Sequence, residues 1–129
     1  MPADGRVSSA FGWRRDPVLG VRRFHRGIDI ANIKDSRVVA AAGGVVLASG
    51  RSAGCGLVVE VGHGMETSTR YCHLDRLVVS AGDRVSSGDT IGLMGKTGRA
   101  TGCHLHFELI EGERAVDPAP SLWLAFALE

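Results

Sequence analysis

"LVVEVGHGMETSTRYCHL", residues 57 to 74, is two β-prone runs separated by a glycine-rich polar stretch. The pattern predicts a β-hairpin, with its turn near Gly62 to Glu66 and its return strand running through Tyr71 to His73. The same grammar continues on either side. Upstream, "VVAAAGGVVLASG" (38–50) predicts a strand, a break at Gly43-Gly44 and a second strand. Downstream, "AGDRVSSGDTIGLMG" (81–95) predicts two more brief strands, with Ser86-Ser87-Gly88-Asp89 as the turn between them. Evenly spaced strands divided by glycine, without intervening helices, make the fold class all-β and antiparallel. Only "PSLWLAF" (120–126) predicts helix, one or two turns starting after Pro120 with Ser121 near the cap.

The bulk numbers narrow the function classes. A chain of 129 residues is one domain, 1–129, long enough to bury a core without staples. A net charge of +1 gives no global pull towards nucleic acid. The charge is uneven, however: Arg14, Arg15, Arg22, Arg23 and Arg26 crowd one segment, which reads either as a solvated loop or as a rim for an anionic partner. No apolar run is long enough to span a membrane and no signal peptide opens the chain, so a domain excised from a longer secreted or membrane-anchored protein is expected. Cys55, Cys72 and Cys103 are odd in number and lack CxxC spacing, so no disulfide framework is expected.

"TGCHLHFEL" (101–109) predicts a further half-buried strand. Leu105, Phe107 and Leu109 share one parity; His104, His106 and Glu108 share the other. In "FHRGIDI" (24–30), His25, Gly27 and Asp29 share a face if the segment is extended, with a glycine between them that lets something approach the backbone closely, and a helical spacing of four would bring His25 and Asp29 together as well. Two histidines on one strand face suit a borderline-soft dication, and the His–Asp pair adds a nitrogen and an oxygen. That totals three nitrogen ligands and one oxygen, one more than a catalytic zinc needs if it keeps a position for water. His73 is a further candidate, by itself more often structural. His63, in a turn between glycines, reads as structural. Glu108 reads equally as an orienting partner of a ligand or as an exposed strand-end carboxylate.

"FHRGIDI", "YCHL" and "TGRATGCHLHFEL" together resemble the three motifs of the lysostaphin/LytM-type peptidoglycan zinc metalloendopeptidases: HxxxD, a tyrosine-containing strand ending in His-Leu, and HxH after a Ser/Thr-Gly loop. The resemblance runs from "GRVSSAFGWRRDP" to "VDPAP". It implies a LytM-like duplicated hybrid fold and one zinc ion per chain. His25, Asp29 and His106 match the family's metal ligands; His73 and His104 match its two catalytic histidines. Three departures stand out: Cys103 where proline is common, Cys72 where alanine is common, and Met65-Glu66 where Asn-Gly is common. The last puts the hairpin's turn type in question.

The implied activity is hydrolysis of peptide bonds in peptidoglycan stem peptides or cross-links by a metal-activated water, one histidine acting as general base and the other stabilising the oxyanion or protonating the leaving amine. The arginine-rich segment favours a carboxylate-bearing stem or direct cross-link over an uncharged polyglycine bridge. A monomer in the cell envelope, periplasmic or extracellular, follows from the same resemblance. Three rival classes are weaker. A non-catalytic, amidase-activating relative is expected to lack a ligand, and none is lacking. A biotinyl-carrier-like module needs a lysine at a hairpin tip, and neither Lys34 nor Lys96 sits in one. A mixed Cys/His zinc site would recruit Cys72 and Cys103, but on a pleated strand each faces away from its neighbouring histidine. A bond between Cys72 and Cys103 is not expected, and neither cysteine is expected to matter for zinc or turnover.

Overall fold

Period-two patterning becomes strand wherever glycine or a polar turn interrupts it. The computed structural model describes residues 1–15 and 20–121. Among these lie β1 (Arg6–Ser9), β2 (Gly12–Arg15), β3 (Arg22–His25), β4 (Ile28–Ala31), β5 (Arg37–Val39) and β6 (Gly44–Ser52). They are followed by β7 (Gly56–Gly64), β8 (Thr67–Leu77), β9 (Arg84–Val85), β10 (Thr90–Met94), β11 (His104–Glu111) and β12 (Arg114–Val116). One continuous sheet runs β1-β4-β11-β8-β7-β6-β9, with β12 on β11, β10 bridging β8 and β5, and β2–β3 forming a separate ribbon. Every pairing is antiparallel, as the sequence predicts.

The predicted hairpin is β7–β8. Met65 and Glu66 occupy its tip at φ 52° and 60°. Two central residues at positive φ are what a type I′ turn requires, so the tight turn forms here without Asn-Gly, whose role is only to lower its cost. Other strands pair less locally than their turns suggest. The 86–89 turn joins β9 to β10, yet β9 pairs with β6, and β10 with β5 and β8. That turn and the one at Ser80–Asp83 are built alike: in each the aspartate side chain accepts from the serine N–H at 2.8 Å. The C-terminal helical turn begins at Ala119, two residues earlier than expected, because Asp117 caps it by accepting the Ala119 N–H at 3.0 Å. Most of the predicted helix, from Leu122 onward, lies outside the described residues.

Alternation decides what is buried. Ile28 and Ile30 of β4, Leu105 and Phe107 of β11, Tyr71 of β8, and Val59 and Val61 of β7 point into one core. Each such side chain contributes about 2 kcal/mol by leaving water. On β8 the alternation breaks at His73, which has φ 65°. Up to Cys72 the strand pairs with β11; from Leu74 it pairs with β10 instead. His73 is therefore a bulged corner where β8 changes partners.

His63 takes the structural role expected of it. The Ala41 N–H donates to the Tyr71 hydroxyl at 3.0 Å, which donates to Thr69 Oγ1 at 2.7 Å. Thr69 donates to His63 Nε2 at 2.8 Å, and His63 Nδ1 donates to the Gly43 carbonyl at 2.7 Å. A carbonyl can only accept and an amide N–H only donate, so every proton in the chain has one direction. Tyr71→Phe strands the Ala41 N–H and should lower unfolding free energy by about 1–3 kcal/mol. A urea titration reads this as a shifted midpoint, and zinc content should not change.

Candidate metal centre

The β4–β11 ladder sets Asp29 opposite His106 and Ile28 opposite Phe107. With the isoleucines and Phe107 buried, Asp29 and His106 share the outer face. His25 reaches the same point from the end of β3. The chain can make that approach because Gly27 lies flat against β11, where a Cβ would collide with the Phe107 carbonyl. The close approach expected at this glycine is thus made by a neighbouring strand. One ligand atom from each of His25, Asp29 and His106 lies within 4.8 Å of the other two.

The outer bonds of the rings decide which nitrogens face inward. His25 Nδ1 donates to the Ala10 carbonyl at 2.9 Å, so His25 Nε2 carries the lone pair, 3.3 Å from Asp29 Oδ1. His106 Nε2 is 2.9 Å from Glu108 Oε2, and His106 Nδ1 is 2.8 Å from Asp29 Oδ1. When Glu108 takes the Nε2 proton, two imidazole lone pairs and a carboxylate oxygen meet at one point. Such donors repel unless a cation lies between them, and the set suits a borderline-soft divalent ion such as zinc. The residues therefore fit the implied metal. Glu108 is buried, which decides between its two readings in favour of an orienting partner, and Arg70 Nη1 stands 3.9 Å from its second oxygen.

The electrostatics follow from these contacts. Burial opposes charge on His106, but its bonds to Asp29 and Glu108 outweigh that and push its pKa up to about 9. Burial likewise works against the Asp29 carboxylate, yet its close contacts with His106 and His25 hold its carboxyl well below the usual range. Glu108 is held low in the same way, chiefly by His106 against burial.

His104 and His73 stand beside this group, their ring centroids 4.9 Å apart. His104 Nδ1 donates to the Gly102 carbonyl at 3.0 Å, leaving Nε2 as a lone pair 3.7 Å from Asp29 Oδ1. His73 Nδ1 donates to the Thr97 carbonyl at 2.7 Å. Burial, aided by the rings of His104 and His106, lowers the His73 pKa against that bond. All five sequence-predicted residues thus line one cleft, together with Arg14, Arg99 and Thr101. The last two, and the carbonyls of Ala10, Thr97 and Gly102, were not singled out; a main-chain oxygen leaves no mark in a sequence.

The arginine cluster divides. Arg14 lines the cleft, whereas Arg22 lies over the Trp13 ring at 5.2 Å to its centroid. The cysteines correct two expectations. Cys55 and Cys72 form a disulfide, with Cα atoms 4.8 Å apart. Cys72 does not face away from the site side: it pairs with His106 across β8–β11, and the bulge at His73 breaks the alternation assumed for it. Cys103 remains a free thiol and does pack against the core, away from His104. Neither joins the metal group.

The chain belongs to peptidase family M23, whose model matches residues 23–118. It is 41% identical over 113 residues to the DD-carboxypeptidase/endopeptidase Mpg of Neisseria meningitidis, covering 88% of this chain and 26% of that protein. To the peptidoglycan DD-endopeptidase ShyA of Vibrio cholerae it is 42% identical over 113 residues, covering 87% and 26%. The chain thus spans about a quarter of the length of these curated relatives. Among solved structures, a zinc-containing peptidase from Vibrio cholerae superposes with a TM-score of 0.84 at 36% identity, covering 91% of this chain and 37% of the other. The catalytic domain of lysostaphin from Staphylococcus simulans gives 0.82 at 28% identity, covering 92% of both. The all-β, LytM-like architecture is confirmed.

Glu108 supplies a direct test of how the metal group is oriented. Glu108→Ala removes the acceptor that holds the His106 Nε2 proton, and zinc affinity should fall roughly 10–100-fold. Glu108→Gln keeps an acceptor oxygen and should retain most of the affinity. Competition with a chromophoric chelator measures both.

Proposed function

We propose that this domain is a zinc-dependent endopeptidase that hydrolyses peptide bonds in peptidoglycan stem peptides or cross-links, working in the cell envelope. His25 Nε2, Asp29 and His106 Nδ1 would hold the ion; His73 and His104 would carry the acid–base chemistry. The observation that carries this reading is the pair of imidazoles whose Nδ1 protons are tied to carbonyls beside a two-histidine, one-carboxylate group. The names of the relatives, and a disulfide of the kind that persists in oxidising compartments, support it.

Zinc held there supplies a Lewis acid that polarises a carbonyl and makes water a better nucleophile near neutral pH. The protein does the rest. A water in the cleft gives its proton to the Nε2 lone pair of one histidine as its oxygen attacks the scissile carbonyl. His73, kept neutral by burial, is suited to accept it. The imidazolium formed then protonates the leaving amine, and the other ring would stabilise the carbonyl oxygen as it becomes negative by donating from Nε2 when it carries a proton there. Arg14 lines the cleft wall, which supports a role for it, among the five arginines, in pairing with a stem-peptide carboxylate.

Five alanine variants separate the roles. His25→Ala, Asp29→Ala and His106→Ala should be isolated largely free of zinc. His73→Ala and His104→Ala should keep close to one equivalent but lose roughly 10²–10⁴-fold in turnover. Plasma mass spectrometry gives the metal, and digestion of purified sacculi, with the released bond identified by mass spectrometry, gives the activity. A zinc-replete His106→Ala or a zinc-free His104→Ala would overturn the assignment.

A further inference from the structure

We propose that the Cys55–Cys72 disulfide is a positioning element for His73, so that turnover at this site depends on the oxidation state of that bond; the inference rests on the catalytic role given to His73 above. His73 stands where regular pairing stops. Leu57 pairs with Leu74 and Val59 with Tyr71, so β8 carries an extra residue between two ladder positions and has left β11 as its neighbour. The backbone there takes a φ of 65°, which residues with a side chain rarely adopt. Something other than the ladder must hold it.

Two loops do so. The Cys55 carbonyl accepts the His73 N–H at 2.7 Å, and the Thr97 carbonyl accepts the ring Nδ1–H at 2.7 Å. One bond fixes the backbone and the other fixes the ring. The loops are themselves interlocked: the Arg99 N–H donates to the Gly54 carbonyl at 2.9 Å, and Gly98 packs so close that a Cβ would strike Gly54 and Gly56. Thr97 Oγ1 donates to the Leu74 carbonyl at 2.6 Å and accepts the Leu57 N–H at 3.0 Å, clasping the far side of the bulge. The disulfide is the one covalent tie between this assembly and β8. It joins Cys55, whose carbonyl holds His73, to Cys72, which precedes His73 and is fully buried. The metal group hangs on β3, β4 and β11, none of which carries either cysteine; Cys72 meets β11 only through the ladder opposite His106, whereas it adjoins His73 along the chain, so the bond bears first on His73.

Reduction by a phosphine converts the bond to two thiols with the uptake of two electrons and two protons, the phosphine being oxidised to its oxide with an oxygen from water. The experiment compares four forms of the zinc-loaded chain: oxidised, phosphine-reduced, Cys55→Ser with Cys72→Ser, and Cys103→Ser as a control. Using a purified cross-linked muropeptide, kcat should fall about tenfold on reduction or double substitution, as expected for loosened aim of a reacting group, with KM and zinc content unchanged. Reoxidation should restore the reduced protein and not the serine variant, and Cys103→Ser should match wild type. Amide hydrogen exchange, read without substrate, should quicken about tenfold at His73 while Leu105 and Phe107 stay protected. Unchanged exchange at His73 would overturn the proposal, as would an equal loss of protection across β7, β8 and β11, which marks a general staple. Faster exchange at His73 in a chain that hydrolyses nothing would uphold the positioning and sink the function instead. Reducing the folded protein keeps the test valid even where the serine variant does not fold.

Discussion

The site depends on the register between β4 and β11. Asp29 faces His106 because Ile30 faces Leu105 and Ile28 faces Phe107. Side chains alternate with a period of two, so a one-residue slip of either strand would carry its polar group into the core and turn its apolar residues to water. At about 2 kcal/mol for each buried apolar side chain, such a slip is strongly disfavoured. Hydrophobic burial, acting on residues that never touch a ligand, therefore sets the metal group in place.

Within that frame the main chain assigns the protons. His25, His63, His73 and His104 each donate Nδ1–H to a carbonyl, from Ala10, Gly43, Thr97 and Gly102 respectively. Each is left with a lone pair on Nε2. What differs is what that lone pair meets. For His63 it is the Thr69 hydroxyl, which closes the ring's hydrogen bonding and makes it structural. For the other three it is the cleft. His106 is reversed, with Nε2 tied to Glu108 and Nδ1 turned to Asp29. Sequence spacing puts four histidines in play and sets His63 aside; the partner of the second nitrogen gives the physical reason for that division.

Much of this was legible in advance, for a physical reason. Alternation reports which residues share a face, so the pairing of His104 with His106 on one side of β11 could be read directly, whereas His25 and Asp29 meet across a break between β3 and β4. Alternation fails where the backbone leaves its period. Cys72 was expected to face away from the site side; the bulge at His73 removes the parity on which that expectation rested, and the disulfide with Cys55 went unseen because two strands and a turn, not a spacing, bring the cysteines together. Strand partners were legible only across the tight β7–β8 hairpin. Elsewhere the 86–89 turn joins strands that pair with others, a topological fact no local window contains. Glu108 was undecidable because burial, not identity, separates an orienting carboxylate from a surface one.

The two halves of the site are built on different principles. Two of the three metal-group residues, Asp29 and His106, rest on β4 and β11, adjacent strands in full register, where ladder bonds and core burial over-determine the Cα positions. Rigidity of that kind suits ligands, which must hold fixed distances. His73 comes instead from a corner, where β8 exchanges one partner for another and no ladder passes through. A corner can aim a side chain in a direction the pleat forbids, at the cost of the support the pleat provides. The support is replaced from outside by the Cys55 and Thr97 carbonyls, in two loops that meet at Gly54, Gly56 and Gly98. Changes in the core should then be felt by the metal group as a whole, whereas changes in those loops should reach His73 first.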